Sequence, residues 1–349
     1  MRVSIKETDV IAPNFKKRLS GVTSTIVQLI PLQQKKGIRI STLGPGLPEN
    51  LPSLSWFSIF NLWQAPEGKK IRIWHARRNI EMIGGIILRD ICRMKLKLIF
   101  TSAAQRHHKP FTKWLIRRMD RVIATNSRSG SYLEVPHQII MHGVDLELFH
   151  PPRDKKDEFS ASKLPGKYAI GCCGRVRHSK GTDLFVDAMI NLLPHYPDWT
   201  AIITGRTTKE NEVFEQELKE KIKKAGLENR IFILGEVDDV RIWYRRLSLY
   251  VAPSRNEGFG LTPLEAMASQ TAVVSSDAGA YEELVAKGTG TVVPAGDGPA
   301  LTKAIEPYLA SPKKTLEMGK VALDYVQKNY PLEKEAEAIS AVYQSLFAE

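Results

Sequence analysis

The chain has 349 residues, 43% hydrophobic and 25% charged, a composition ordinary for a soluble protein and a length that suits two domains better than one core. Its formal net charge is +12, and the excess is lopsided: residues 1–150 hold 24 Lys and Arg against 10 Asp and Glu, residues 151–349 hold 26 against 28. The opening MRVSIKETDV lacks the apolar core of a signal peptide, and no apolar run approaches the ~20 residues of a membrane-spanning helix.

In chain order, β-rich runs are expected near residues 10–12, 39–43, 71–75, 96–101, 121–125 and 138–141. A second series follows near 168–173, 200–204, 230–234, 249–252, 272–275 and 291–293. Helical patterns separate most of them, 183–193 and 219–225 being clear cases. Strands alternating with helices imply parallel sheets covered on both faces. Two series imply two doubly wound, Rossmann-like domains, with a ligand cleft where they face each other. The Pro-, Ser- and charge-rich stretch 150–167 suits the linker, which gives domains of 1–150 and 151–330. Residues 331–349 read as a last helix. Cys92, Cys172 and Cys173 show no metal-ligand spacing, which fits a reducing, cytoplasmic compartment.

Two loops carry the chemistry. The stretch NEGFGLTPLEAMA (256–268) follows the run 249–252 and opens a helix. Thr262 fits an N-cap, Pro263 the first helical position and Glu265 the third, so Glu265 completes a capping box. Gly258 and Gly260 leave bare N–H groups at a helix N-terminus, where an anion such as phosphate is favoured. The second loop is GRVRHSKG (174–181), after the run 168–173. Arg175 forks onto two phosphate oxygens and Lys180 supplies a point charge. Either cation alone would read as a solvated loop residue; both loops leave the same sheet edge.

In these motifs the chain resembles the retaining glycosyltransferases of family 4, which have the GT-B fold; that resemblance implies that the last helix, 331–349, packs back on the first domain. HGVDLELFHP (142–151) and AVVSSDAGAYEELV (272–285) resemble further family segments. The resemblance implies that Arg175 and Lys180 bind the donor diphosphate and that Glu257 contacts the donor sugar. It further implies that Gly258, Phe259, Gly260 and Leu261 present backbone to the donor, and that Glu265 binds ribose hydroxyls. Gly21, in RLSGVTSTIVQL, stands in the place of the family's glycine loop. The family's T-x-H histidine position holds Ala103; His107, His108 and His75 are the alternatives, with His107 placed in the catalytic set.

KRLSGVTSTIVQLIPLQ, TLGPGLP and IWHARRN resemble bacterial lipopolysaccharide-core mannosyltransferases. That resemblance implies GDP-mannose as donor and an anionic, Kdo-bearing lipid A acceptor. The enzyme would then be cytoplasmic, peripherally associated with the cytoplasmic face of the inner membrane. The basic first half suits such a partner. No metal and no cofactor beyond the donor substrate is expected, Asp238-Asp239 being a helix start or solvated pair. Two segments can meet the membrane, LSWFSIFNLW (54–63) and KPFTKWLIRRM (109–119), and each also suits core packing. A UDP-sugar-dependent glucosyl- or galactosyltransferase is the alternative. A nucleic-acid binder is the remote one, since no recognised module or zinc spacing is present, and a silent sugar-nucleotide binder would not need both carboxylates and both cations.

Overall fold

All four residues of Val10–Pro13 and all five of Arg72–Ala76 are buried, as strands covered on both faces require. In the computed structural model, which describes residues 1–17 and 21–349, the chain divides into two compact units. Unit 1 comprises Met1–His142 with Leu332–Glu349, and unit 2 is Gly143–Pro331.

Unit 1 runs β1 (Val10–Pro13), α1 (Gly21–Lys35), β2 (Ile40–Leu43), β3 (Ser53–Leu54), β4 (Arg72–Ala76), α2 (Asn79–Ile86), β5 (Leu96–Ser102), α3 (Pro110–Ile116), β6 (Arg121–Ala124), α4 (Ser127–Ser131) and β7 (Gln138–Ile139). The strands are parallel and ordered β3-β2-β1-β4-β5-β6-β7. Ile26, Leu29 and Ile30 of α1 pack one face, together with Leu332, Ile339 and Tyr343 of the C-terminal helix. Met82, Ile86, Leu115 and Ile116 of α2 and α3 pack the other.

Unit 2 runs β8 (Tyr168–Cys173), α5 (Thr182–Leu192), β9 (Trp199–Thr204), α6 (Glu212–Lys224), β10 (Ile231–Gly235), α7 (Val240–Arg246), β11 (Leu249–Ala252), α8 (Thr262–Ala268), β12 (Ala272–Ser276), α9 (Tyr281–Leu284), β13 (Thr291–Val293), α10 (Gly298–Ala310) and α11 (Pro312–Asn329). Its parallel sheet is ordered β10-β9-β8-β11-β12-β13. Phe185, Met189, Leu218, Ile222, Leu301 and Ile305 bring α5, α6 and α10 into one core. The last helix, α12 (Leu332–Ala348), returns to unit 1. His75 anchors it: Nδ1 meets the Tyr343 hydroxyl and Nε2 the Thr101 hydroxyl, each at 2.7 Å. Burial, and secondarily Arg77, hold this imidazole well below its ordinary pKa, so it is neutral.

The division between units falls at His142 and Gly143, upstream of the expected linker. The stretch 150–167 is tied into unit 2 instead. Phe159 is buried, Asp157 pairs with Arg245 at 2.7 Å, and the Lys156 carbonyl accepts from Arg246. β3 was not expected; its two residues are too few to show a period.

Candidate active site

Both sheets reverse strand order once, between β1 and β4 and between β8 and β11. Loops leaving the carboxyl ends of such neighbouring strands diverge and leave a crevice. In unit 2 those loops are 174–181, after β8, and 253–261, after β11. They are stitched together. Arg255 and Asn256 donate their backbone N–H groups to the Ser179 carbonyl at 3.0 and 3.3 Å. The Arg255 guanidinium grips both Asp183 carboxylate oxygens at 2.7 Å. Burial alone would raise Asp183, but its hydrogen bonds and the Arg255 charge hold it below the ordinary carboxylate range. Gly181 has φ +69°, and a Cβ there would run into the Pro253 carbonyl, so the close approach of the two loops requires glycine.

At this junction Lys180 Nζ forms an ion pair with Glu257 Oε2, with the two side chains only 20% and 18% exposed. Glu257 Oε1 accepts from the Gly258 N–H at 3.1 Å, and Oε2 accepts from the Tyr281 hydroxyl at 3.4 Å. Burial, then the Glu257 charge, drives the Tyr281 pKa upward, so it remains a neutral donor. Gly260 has φ +89°, and a Cβ there would overlap the Tyr281 ring and come within 2.8 Å of Glu257 Cγ. Phe259 is buried and its carbonyl accepts from the Ala280 N–H at 3.0 Å, which fixes the turn. Arg175 is exposed on the rim of a small crevice that Lys180, Thr182, Ser254, Thr262 and Tyr281 also line. The sheet thus brings Arg175, Lys180, Glu257, Gly258, Phe259, Gly260 and Leu261 to one edge.

Glu265 reaches that edge differently from expectation. The helix α8 begins at Thr262 with Leu261 as its N-cap and no capping side-chain bond. The capping box is therefore absent, and Glu265 Oε2 instead accepts from the buried Tyr244 hydroxyl at 2.8 Å. Burial pushes its carboxyl up to about 6, against the opposing pull of Tyr244 and Lys180. Asp239 is the N-cap of α7, accepting from the Arg241 N–H at 2.9 Å. Cys172 and Cys173 are thiols that burial pushes well above their ordinary pKa.

In unit 1 the corresponding edge lies at the carboxyl ends of β1 and β4. Gly21 is the first residue of α1, and Arg18, Leu19 and Ser20 of the proposed glycine loop lie outside the described residues. Arg78 holds the edge together, donating to Asn14 Oδ1 at 2.8 Å, the Thr23 hydroxyl at 3.2 Å and Glu81 Oε1 at 2.7 Å. His107 is exposed on the loop after β5, edge-on to the Tyr132 ring at 5.0 Å. His75 has both ring nitrogens committed to α12 and β5, and so serves the fold. Tyr244, Tyr281, Arg78 and Asn14 were not expected at these edges. Their contacts join residues far apart in the chain, as Tyr244 with Glu265 and Arg78 with Asn14, and only the position of Asn14 directly after β1 marks one of them in the sequence.

Two doubly wound units, one with cations and carboxylates gathered at its switch point, define a GT-B architecture. Residues 154–324 match the family model described as glycosyl transferases group 1. The chain belongs to the group 1 glycosyltransferases. It is 62% identical over 346 residues to the lipopolysaccharide core biosynthesis mannosyltransferase LpcC of Rhizobium leguminosarum bv. viciae, covering 99% of this chain and 98% of that protein. It is 52% identical over 348 residues to the lipopolysaccharide core biosynthesis mannosyltransferase LpsB of Rhizobium meliloti strain 1021, covering 99% of each. Among solved structures, the C-terminal domain of a group 1 family protein (LpcC) from Francisella tularensis is similar at 36% identity and a TM-score of 0.52, over 54% of this chain and 100% of that one. A glycosyltransferase from Rickettsia africae ESF-5 shares the fold at a TM-score of 0.82 and 18% identity, over 97% of this chain and 98% of that one.

Proposed function

We propose that the chain transfers a mannosyl group from GDP-mannose to the lipopolysaccharide core, on a Kdo-bearing lipid A acceptor, with retention at the anomeric carbon. The observation that carries this reading is full-length identity of 62% and 52% to two lipopolysaccharide core mannosyltransferases. The unit 2 switch point supports it in chemical terms. Transfer builds negative charge on the departing diphosphate. Arg175, Lys180 and the N–H groups of the Gly258–Leu261 turn meet that charge; one well-placed donor of this kind is worth ~3–4 kcal/mol.

The acceptor hydroxyl attacks from the face that the diphosphate leaves, and a departing phosphate oxygen takes its proton. The chain then needs no nucleophile of its own. Glu257 holds donor sugar hydroxyls, and Glu265 the ribose. Lys180 and Glu257 form an ion pair at this edge, which sets the phosphate-binding cation beside the sugar-binding carboxylate. Because these two cations supply the charge, transfer proceeds without a divalent metal. His107 is the remaining candidate for a catalytic imidazole.

The acceptor is an anionic glycolipid, and the basic first half suits it. Among the described residues no helix is long and apolar enough to cross a membrane; the enzyme meets the cytoplasmic face of the inner membrane peripherally. The test is thermal stabilisation by GDP, UDP and ADP and their sugars, on the parent chain and Lys180→Ala. A shift with GDP and GDP-mannose that the variant loses supports the reading. A UDP preference replaces the donor with a UDP-hexose, and no shift with any nucleotide removes the donor site.

A further inference from the structure

We propose that one face of unit 1, formed by the 3-10 turn Trp56–Asn61, the π-helical turn Ile87–Ile91 after α2, and α3, is the surface that seats on an anionic lipid bilayer. These elements cover the same side of the first sheet. Leu115 and Ile116 of α3 lie in one buried cluster, and Ile59 of the 3-10 turn and Leu88 of the π-helical turn pack against it. Their outward residues therefore share one side of the unit.

Those outward residues are large and apolar. No residue of the Trp56–Asn61 turn is buried, and Phe57 and Phe60 are 79% and 70% exposed. Ile91 on the π-helical turn is 73% exposed, and Phe111 and Trp114 of α3 lie about half in solvent. The elements are tied edge to edge. The Trp63 indole N–H donates to the Cys92 carbonyl at 2.7 Å, Arg118 Nε to Asp90 at 3.0 Å, and Asn79 Nδ2 to the Thr112 hydroxyl at 2.7 Å. The aromatic residues thus belong to a continuous surface, and monomeric proteins rarely leave a large apolar patch without a partner.

Charge selects the partner. Arg93, just after the π-helical turn, and Lys109, the N-cap of α3, are exposed, and neither is in an ion pair among the described residues. The Arg118 guanidinium lies over the Trp114 ring at 5.5 Å. Aromatic residues amid cations fit the interface of a bilayer carrying anionic headgroups. The face also leads to the unit 1 edge. The Trp56 ring lies 5.4 Å from that of Phe15, and the preceding Asn14 is held by Arg78. An acceptor whose acyl chains stay in the bilayer would then present only its polar head to this edge. The choice of lipid over a protein partner rests on the glycolipid-acceptor reading.

The experiment is co-sedimentation of the full chain with phosphatidylglycerol-containing vesicles and with pure phosphatidylcholine vesicles. It compares the parent, Phe57→Ser/Phe60→Ser, and Ile91→Ser/Trp114→Ser. Transfer to a detergent-dispersed acceptor and the melting temperature are measured alongside. The expected result is salt-sensitive binding to the anionic vesicles only, weakened at least tenfold in each double variant, with detergent-phase transfer and melting unchanged. Parent protein that ignores anionic vesicles, or variants that bind as the parent does, would overturn the proposal. So would a parent dimer that the variants convert to monomer, which would assign the face to a second copy. A parent that binds vesicles but transfers no sugar would leave this face standing and refute the functional reading instead.

Discussion

Glu257→Gln separates the ion pair with Lys180 from the sugar contact proposed for this carboxylate. This carboxylate neutralises Lys180 and accepts from Tyr281. With both partners of the ion pair about a fifth exposed, its loss lies between a surface pair, about 0–1 kcal/mol, and a buried one, about 3–5 kcal/mol. A drop of about 1–2 kcal/mol is expected, a few degrees in melting temperature for a unit of this size. The effect on transfer is larger. A hydrogen bond from a sugar hydroxyl to a carboxylate is worth roughly 1.5–3 kcal/mol, which converts to a fall of about 10- to 160-fold in kcat/KM. Affinity for GDP, which lacks the transferred hexose, is expected to stay near that of the parent. Initial-rate assays and calorimetric titration with GDP read the two effects separately. A variant with kcat/KM within twofold of the parent would remove Glu257 from the site, and one that loses GDP binding along with transfer would mark it as a scaffold for Lys180.

Glu265 sets a pH dependence. Its folded pKa, about 6, lies above the ordinary 4.5, so ionising it costs the folded state. That cost is absent below about pH 4.5 and fully present above about pH 6. Glu265→Gln should therefore melt higher than the parent near pH 8 and level with it near pH 4. Donor affinity should fall as pH drops through about 6, and Tyr244→Phe, which removes a bond that lowers the pKa, should move that fall to higher pH; a flat profile in titrations with GDP-mannose refutes the ribose role. His75→Ala should lose about 2 kcal/mol or more by chemical denaturation, since two hydrogen bonds of about 1 kcal/mol each vanish and a buried cavity opens. His107→Ala should keep its melting temperature and lower kcat by ~10²-fold or more; unchanged kcat removes His107 from the catalytic set. Transfer should persist in EDTA, and activity lost there but restored by Mn²⁺ contradicts the metal-free scheme.

Much of the fold was legible because buried parallel strands must be apolar on both faces. The runs at 168–173, 249–252 and 291–293 coincide with β8, β11 and β13. The two carboxylates and two cations of unit 2 were also legible, since GRVRHSKG and NEGFGLTPLEAMA directly follow strands and so fall on one sheet edge. The capping box was misread for a physical reason. The spacing Thr-Pro-Leu-Glu satisfies the pattern, but a tyrosine 21 residues earlier in the chain offers the carboxylate a buried donor instead. Tyr281 was unexpected likewise, because its contact with Glu257 crosses from the start of α9 to the loop after β11. In LSWFSIFNLW, apolar content alone could not tell core from surface. The 3-10 turn decided it, by leaving Trp56, Phe57 and Phe60 exposed while the flanking Leu54 and Leu62 enter the buried cluster.

The central claim is mannosyl transfer from GDP-mannose at the Lys180–Glu257 junction. Its most direct test is to incubate the chain with a Kdo-bearing lipid A acceptor and one donor at a time, GDP-mannose, UDP-glucose, UDP-galactose or ADP-glucose, and weigh the glycolipid by mass spectrometry. The account predicts addition of one hexose with GDP-mannose alone, abolished by Lys180→Ala. Hexose added only from a UDP or ADP sugar, or transfer from GDP-mannose that Lys180→Ala leaves intact, would contradict it.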